Sequence, residues 1–321
     1  MIRTQSVSTI ALTVADADQA TAFYTQAFGC AVLFDQVFEA GSYARLSQRT
    51  PGPVRIVTLR LGDEYVELIQ YLGIEAAPIP ADSRSHDLWF QHMAIVVSDM
   101  ELAYRHIQSF EIISISPAPQ TIPPENSAAS GVRAFKFRDT DRHSLELIWF
   151  PEDKRRDKWQ NPGGRLFMGI DHSAIAISAT AHSLSFYQET LGLETVGRSN
   201  NTGSVQAALD GLPIADVKVT SLQSSQPKVG IELLDYLHPK DSRPRPQAWQ
   251  MHDLPHRHLI LEVENLHNSL EILNHHNLNH HTVEIVSPHI VSLPEKYRYT
   301  EGLLIRDPDG HSLLLVAAPQ V

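Results

Sequence analysis

Three histidines and three glutamates recur in this chain at matching places of a repeated pattern. Four apolar runs open successive blocks: STIALTV from Ser8, QHMAIVV from Gln91, DHSAIAI from Asp171 and RHLILEV from Arg257. Aligned on their final Val or Ile, they put Thr9, His92, His172 and His258 in one column. Four further runs close the blocks: YVELIQY from Tyr65, SLELIWF from Ser144, GIELLDY from Gly230 and SLLLVAA from Ser312. They put Glu67, Glu146, Glu232 and Leu314 in a second column. A divalent metal ion is bound by neutral imidazole nitrogens and carboxylate oxygens on stiff elements. A carboxylate inside an apolar strand, such as Glu146 between Leu145 and Leu147 or Glu232 between Ile231 and Leu233, is costly unless paired or metal-bound. A single strand histidine is more often a hydrogen-bonded core residue. The recurrence of both columns is what points to a scaffold for metal ligands.

The elements that must hold these side chains follow one grammar. Each block begins with a strand, continues with a helix and ends in short strands separated by Gly, Pro and Ser turns. Asp16 is the expected N-cap of a first-block helix that turns Ala20, Phe23, Tyr24 and Ala27 inward and stops at Gly29. The third block repeats it from about Ala179, with Leu184, Phe186, Tyr187 and Leu191, to Gly192. The second block uses Asp99 and MELAYRHI, the fourth Asn265 and LHNSLEIL. Strands project alternate residues to one face, so each block can offer one His and one Glu to a common surface.

Length and charge narrow the function. The 321 residues suggest about two domains. A net charge of −11 disfavours nucleic acid as partner. The single cysteine, Cys30, cannot form an internal disulfide, in keeping with a reducing cytoplasm. No stretch has the apolar length of a membrane span, and the N-terminus lacks a secretory pattern. The expectation is a cytoplasmic protein, monomer or homodimer, with a small-molecule substrate and neither nucleic acid nor membrane as partner.

The fourfold grammar, the helix ends FYTQAFG and FYQETLG, the turns DTDRHSL and DPDGHSL, and the two polar columns resemble the vicinal oxygen chelate superfamily. That group includes glyoxalase I, extradiol dioxygenases, epimerases and bleomycin- or fosfomycin-resistance proteins. The resemblance covers nearly the whole chain. It implies an α+β fold of two glyoxalase-like domains, with four βαβββ modules forming cup-shaped mixed β-sheets and a metal in the cup. Residues 1–150 would be the first domain, with modules at 1–72 and 86–150, and 151–168 a linker. The second domain would be 169–321, with modules at 169–238 and 255–321. The polar stretch Pro151–Gly164 is the boundary, with Trp159 in it as a packing residue.

Module pairing decides the ligand set the resemblance implies. Pairing neighbours gives Glu67, His92 and Glu146 in one cup and His172, Glu232 and His258 in the other. Pairing the inner two and the outer two gives a complete set, His92, Glu146, His172 and Glu232, and leaves Glu67 and His258 in a degenerate cup. The second is preferred because it puts both losses, Thr9 and Leu314, in one site.

The ion would be Zn, Ni, Fe or Mn. The first functional expectation is a lyase or isomerase of glyoxalase I type, in which the metal holds two neighbouring substrate oxygens, stabilises an enediolate, and Glu146 or Glu232 moves the proton. The second is an extradiol-type dioxygenase using His172, His258 and Glu232. The third is a metal-free binding or resistance protein. Trp89, Phe90 and Trp149 lie near the inner ligands in sequence, where core packing is the expected role. Glu67 is expected to be a leftover position hydrogen-bonded to Tyr or Arg. The HHNLNHH run from His275 to His281 reads as surface, and His143 and His311 as structural turn residues. Arg138 and Arg306 are expected to pair with the turn aspartates.

Overall fold

The computed structural model describes residues 1–317 apart from 40, 42, 47–51, 279–282 and 288. Four modules follow one another. The first holds β1 (Thr4–Thr13), α1 (Ala17–Phe28), β2 (Ala31–Phe38), β3 (Val54–Leu61) and β4 (Glu64–Tyr71). The second holds β5 (Gln91–Val97), α2 (Met100–Ile107), the short β6 (Ile113–Ser114) and β7 (Gln120–Thr121), β8 (Arg133–Arg138) and β9 (Ser144–Trp149). The third holds β10 (Phe167–Ile177), α3 (Thr180–Leu184, running into a π-helical turn at Ser185–Thr190), β11 (Glu194–Thr202), α4 (Gly203–Asp210), β12 (Asp216–Gln223) and β13 (Gly230–His238). The fourth holds β14 (Arg257–Val263), α5 (Leu266–Leu278), β15 (Glu284–Ile285), β16 (Val291–Ser292), β17 (Glu301–Arg306) and β18 (Ser312–Ala317).

The strands form two nine-stranded mixed sheets, and the inner-with-inner pairing holds. One sheet runs β15-β17-β18-β14-β1-β4-β3-β2, joining modules one and four. The other runs β11-β12-β13-β10-β5-β9-β8-β6, joining modules two and three. Both are sewn at the centre by an antiparallel seam, β1 to β14 and β5 to β10. Period-two alternation then sorts the side chains. Met93, Ile95, Leu145, Leu147, Ile175, Ile231 and their outer-module counterparts Leu12, Leu259 and Leu313 enter one shared core with the helices. The intervening residues line the two cups.

The helix signals are realised locally. Asp16 caps α1 by accepting from the Asp18 and Gln19 amides, and Gly29 ends it at φ 72°. Gly192 takes the same left-handed turn at φ +76°, and a Cβ there would meet the Ile2 carbonyl at 2.4 Å. The tyrosine of each FY pair binds a turn aspartate of the next module: Tyr24 donates to Asp139 (3.1 Å) and Tyr187 to Asp307 (3.0 Å). These bonds tie the two sheets together through the shared core. His143 and His311 are structural: each backbone N–H is held by the turn aspartate, and their rings reach the Leu254 and Ala176 carbonyls.

Two arginine expectations need correction. Arg138 donates to the Ser83 carbonyl, and Arg306 pairs with Glu284 across the β15–β17 ladder. The turn aspartates are already satisfied by backbone amides, histidine and tyrosine, so they do not recruit the arginines. The boundary stretch is packed: Trp159 is buried and stacked on Phe150, and Lys158 lies over its ring while binding Glu64 at 2.6 Å. The His275–His281 run passes beyond the described residues at 279.

Candidate metal centre

Register brings the two inner modules to one point. Across β9-β5-β10-β13, one row of neighbours reads Glu146, Ala94, His172, Gly230. The next row reads Ser144, His92, Ala174, Glu232. Each row carries one His and one Glu, and the rows are related by an approximate twofold across the β5–β10 seam. The small alanines leave the space between the four polar side chains open.

His92 Nε2 lies 3.2 Å from Glu146 Oε2, and His172 Nε2 lies 3.7 Å from the same oxygen. Glu232 Oε2 is 3.4 Å from His172 Nε2. All four preferred residues therefore lie together in one cup, and His92, Glu146 and His172 form a group that could hold an ion. The alternative sets, His172 with Glu232 and His258, or Glu67 with His92 and Glu146, are not assembled. His258 on β14 and Glu67 on β4 belong to the other sheet, because the seams pair module one with four.

The donor set fits a divalent ion. His92 Nε2 and His172 Nε2 are buried and, among the described residues, have no hydrogen-bond partner. Ligand atoms at about 2.0–2.2 Å from one ion sit roughly 3.0–3.6 Å apart in tetrahedral or octahedral arrangement, close to the separations found. Asp171 Oδ2 meets His172 Nδ1 at 2.8 Å, the outer support that fixes a metal-binding ring. Burial pushes His92 down to about 4, with Glu146 opposing. Burial also works against a charged His172, but Glu232, Asp171 and Glu146 outweigh it and raise it to about 9. Glu146 is lowered to about 2, because His92, Lys136 and His172 outweigh the effect of burial.

Above the centre is a cavity of about 420 Å³. Its walls include Ile122, Val132, Ile148, Phe150, Leu209 and Val219. Of the aromatics near the ligands in sequence, Phe90 packs edge-on against His92, while Trp89 meets Trp249 and Trp149 packs at the edge of the shared core. Three residues of the site escape sequence reasoning. Asp171 is one. Lys136, a register partner of Glu146 on β8, is buried and bound to Asp210 at 2.7 Å. Asp210 ends α4, a helix inserted between β11 and β12 with no counterpart signal in the other modules. The alternation Ala134, Lys136, Arg138 between Phe135 and Phe137 was the available signal for Lys136: it places the lysine on the face opposite the phenylalanines.

The Glyoxalase/Bleomycin resistance protein/Dioxygenase superfamily model matches this chain twice, over residues 6–147 and 169–315. The chain belongs to that superfamily. A 2-epi-5-epi-valiolone epimerase from Actinomyces sp is 30% identical over 152 residues, 46% of this chain and 80% of the epimerase. The fold is similar to that of glyoxalase I from Zea mays, with a TM-score of 0.64 at 15% identity, covering 98% of this chain and 92% of that one. It is also similar to a putative dioxygenase from Bacillus subtilis subsp. subtilis str. 168, with a TM-score of 0.61 at 11% identity, covering 100% of this chain and 87% of that one. At these identities the two structures speak for the fold alone.

The second cup of this superfamily member keeps half of the pattern. Across β18-β14-β1-β4 the rows read Leu314, Ile260, Thr9, Tyr65 and Ser312, His258, Ala11, Glu67. One row retains His and Glu, and the other has lost both. Tyrosines take up the two polar groups that remain. Tyr297 donates to Glu67 at 2.7 Å, and the Tyr43 hydroxyl meets His258 Nε2 at 3.3 Å. Both rings join Leu314, Ile260 and Leu304 in an apolar cluster. Glu67 is the hydrogen-bonded leftover expected of it.

Glu67 gives a pH test of that structural role. Burial pushes it up to about 7, with Tyr297 and Arg298 acting in the opposite direction. The native state therefore favours the protonated acid. Its contribution is fully present below the unfolded value of about 4.3 and is lost as pH rises through about 7. Glu67→Gln keeps an acceptor for Tyr297 and removes the charge. Relative to wild type, it should be more stabilising at pH 8 than at pH 5 by about 2–3 kcal/mol. Urea unfolding at both values measures this, and an equal shift at the two would refute it.

Proposed function

We propose that this protein is a divalent-metal-dependent isomerase that moves a proton on the carbon next to a carbonyl in a small molecule with vicinal oxygens. The observation that carries the reading is the pair of carboxylates, Glu146 and Glu232, on twofold-related positions flanking the two histidines. His92, Glu146 and His172 suffice to hold an ion. That leaves Glu232 as the more adaptable group: its side chain is 24% exposed against 6% for Glu146.

A divalent cation bound here would act as a Lewis acid and acidify the carbon next to a chelated carbonyl. The chain supplies the rest. Ser221 donates to Glu232 Oε1 at 2.8 Å, which fixes the carboxylate and leaves Oε2 to take a proton. Glu232 then returns that proton to the substrate from the same oxygen, while Glu146, facing both histidines from the opposite side, stays ionised. Asp171 orients the His172 ring. The apolar walls limit water, which strengthens each charge interaction on the cavity floor. The epimerase relative supports this reading over cleavage chemistry. The tight group His92, Glu146 and His172 also has the two-histidine, one-carboxylate composition that suits Fe(II) and oxygen, so ring-cleaving oxygenation is the second reading.

One experiment separates the two. The protein, loaded in turn with Zn, Ni, Mn and Fe(II), is incubated in deuterated water with 2-hydroxycyclohexanone and pentahydroxycyclohexanone. The isomerase reading expects deuterium to enter beside the carbonyl without oxygen uptake. Glu232→Gln should keep its metal and lower exchange by about 100-fold or more. Oxygen consumption by the iron form without exchange would favour the dioxygenase, and neither activity with any metal would remove the isomerase reading.

A further inference from the structure

Beside the metal centre lies a polar network that the proton transfer does not use. Asp210 Oδ1 accepts from Lys136 Nζ at 2.7 Å. Its Oδ2 accepts from Gln206 Nε2 at 2.8 Å and from the Tyr236 hydroxyl at 3.0 Å. Lys136 and Gln206 both line the 420 Å³ cavity and are 3% and 4% exposed. The carboxylate forces the Gln206 amide to present nitrogen to it, so Gln206 Oε1 is turned elsewhere, and it is buried with no partner among the described residues. Among the described residues, Lys136 Nζ has Asp210 as its one hydrogen-bond acceptor, and an ammonium group has three protons to give. Two residues that line the cavity thus hold, among the described residues, a spare buried acceptor and spare donors, anchored to the two oxygens of one carboxylate.

We propose that Lys136 and Gln206, held together by Asp210, form a subsite for a neutral hydroxyl group of the substrate. A hydroxyl accepts from the ammonium and donates to the amide oxygen at once. A carbonyl or ether oxygen would leave Gln206 Oε1 unsatisfied. A phosphate or carboxylate would face Gln206 Oε1 acceptor to acceptor, and would meet a lysine already neutralised by Asp210 beside the carboxylates of Glu146 and Glu232. Lys136 is the direct register partner of Glu146, so the hydroxyl would belong to the same small molecule as the oxygens at the metal centre. The substrate class is therefore a polyhydroxylated ketone with at least one hydroxyl beyond the vicinal pair. This specificity rests on the isomerase reading for its orientation but not for its existence.

The test is binding, measured by calorimetry on manganese-loaded protein with pentahydroxycyclohexanone, 2-hydroxycyclohexanone and dihydroxyacetone phosphate. Wild type should bind the pentahydroxy ketone at least about tenfold tighter than the monohydroxy ketone, since an unmade pair leaves buried polar groups unsatisfied. Gln206→Leu should shrink that ratio to within about threefold of one while manganese content stays unchanged. The double variant Lys136→Met with Asp210→Asn should do the same without leaving a lone buried charge, and it stands in if the single variant folds poorly. An unchanged ratio in folded variants overturns the proposal. So does tighter binding of dihydroxyacetone phosphate that depends on Lys136, which would make the subsite an anion site. If wild type takes up no manganese, the metal reading fails on its own, and the same affinity ratio on metal-free protein still decides the subsite.

Discussion

Glu146→Gln is expected to strip the centre of its metal. Glu146 Oε2 is the oxygen that faces both histidine Nε2 atoms, and its charge is what a dication would gain most from. The amide keeps the shape and loses the anion. Metal affinity should fall by at least about 100-fold, the upper end of what outer-shell changes alone produce, and turnover should fall with it. The matched control is Glu67→Gln, the equivalent of Glu232 in the second cup, where Tyr297 occupies the carboxylate. That variant should retain full metal content. Elemental analysis after extensive dialysis reads both. Wild-type metal in Glu146→Gln, or lost metal in Glu67→Gln, would place the centre elsewhere.

Metal binding near pH 7 should release about one proton per ion, and that proton comes from His172. The three tight ligands enter the reaction in different states. His92, pushed to about 4, is already neutral, and Glu146, lowered to about 2, is already ionised. His172, raised to about 9, is protonated and must lose its proton to bind. Affinity should therefore climb about tenfold per pH unit from 7 and level off above about 9, a change near 100-fold over that range. The sign for the metal-free protein is opposite. The His172 proton stabilises the fold fully below its unfolded value of about 6.5, and that contribution is lost as pH rises through about 9. Calorimetry in two buffers of different ionisation enthalpy counts the proton. A count near zero or two, or affinity flat between pH 7 and 9, would contradict the assignment.

Much of this was legible in the sequence because strand periodicity is rigid. A histidine at the second position of an opening run, flanked by Met93 or Ser173, can only face the cup if the neighbours face the core. Caps at Asp16, Asp99 and Asn265 were legible for a similar local reason. Module pairing was not, since nothing within a strand names its partner across 70 or more residues of chain; only the two departures from the columns, Thr9 and Leu314, hint at it. Helix α4 escaped because its apolar residues Val205, Ala207 and Leu209 are few and sit between polar turns. With it went Gln206 and Asp210, and so the meaning of Lys136. Arg138 and Arg306 escape for the same reason: the nearest acids in sequence are the turn aspartates, whereas the fold brings them the Ser83 carbonyl and Glu284 on β15.

The antiparallel seams make each sheet from one module of the first half of the chain and one of the second. Two copies of a two-module chain could build the same pair of sheets, but the copies would be bound by symmetry: a ligand deleted from one cup would vanish from both. Covalent fusion releases that constraint. Thr9 and Leu314 stand in one cup where His172 and Glu146 stand in the other. The tyrosine-filled cup is then free to trade polar positions for rigidity while its twin keeps all four.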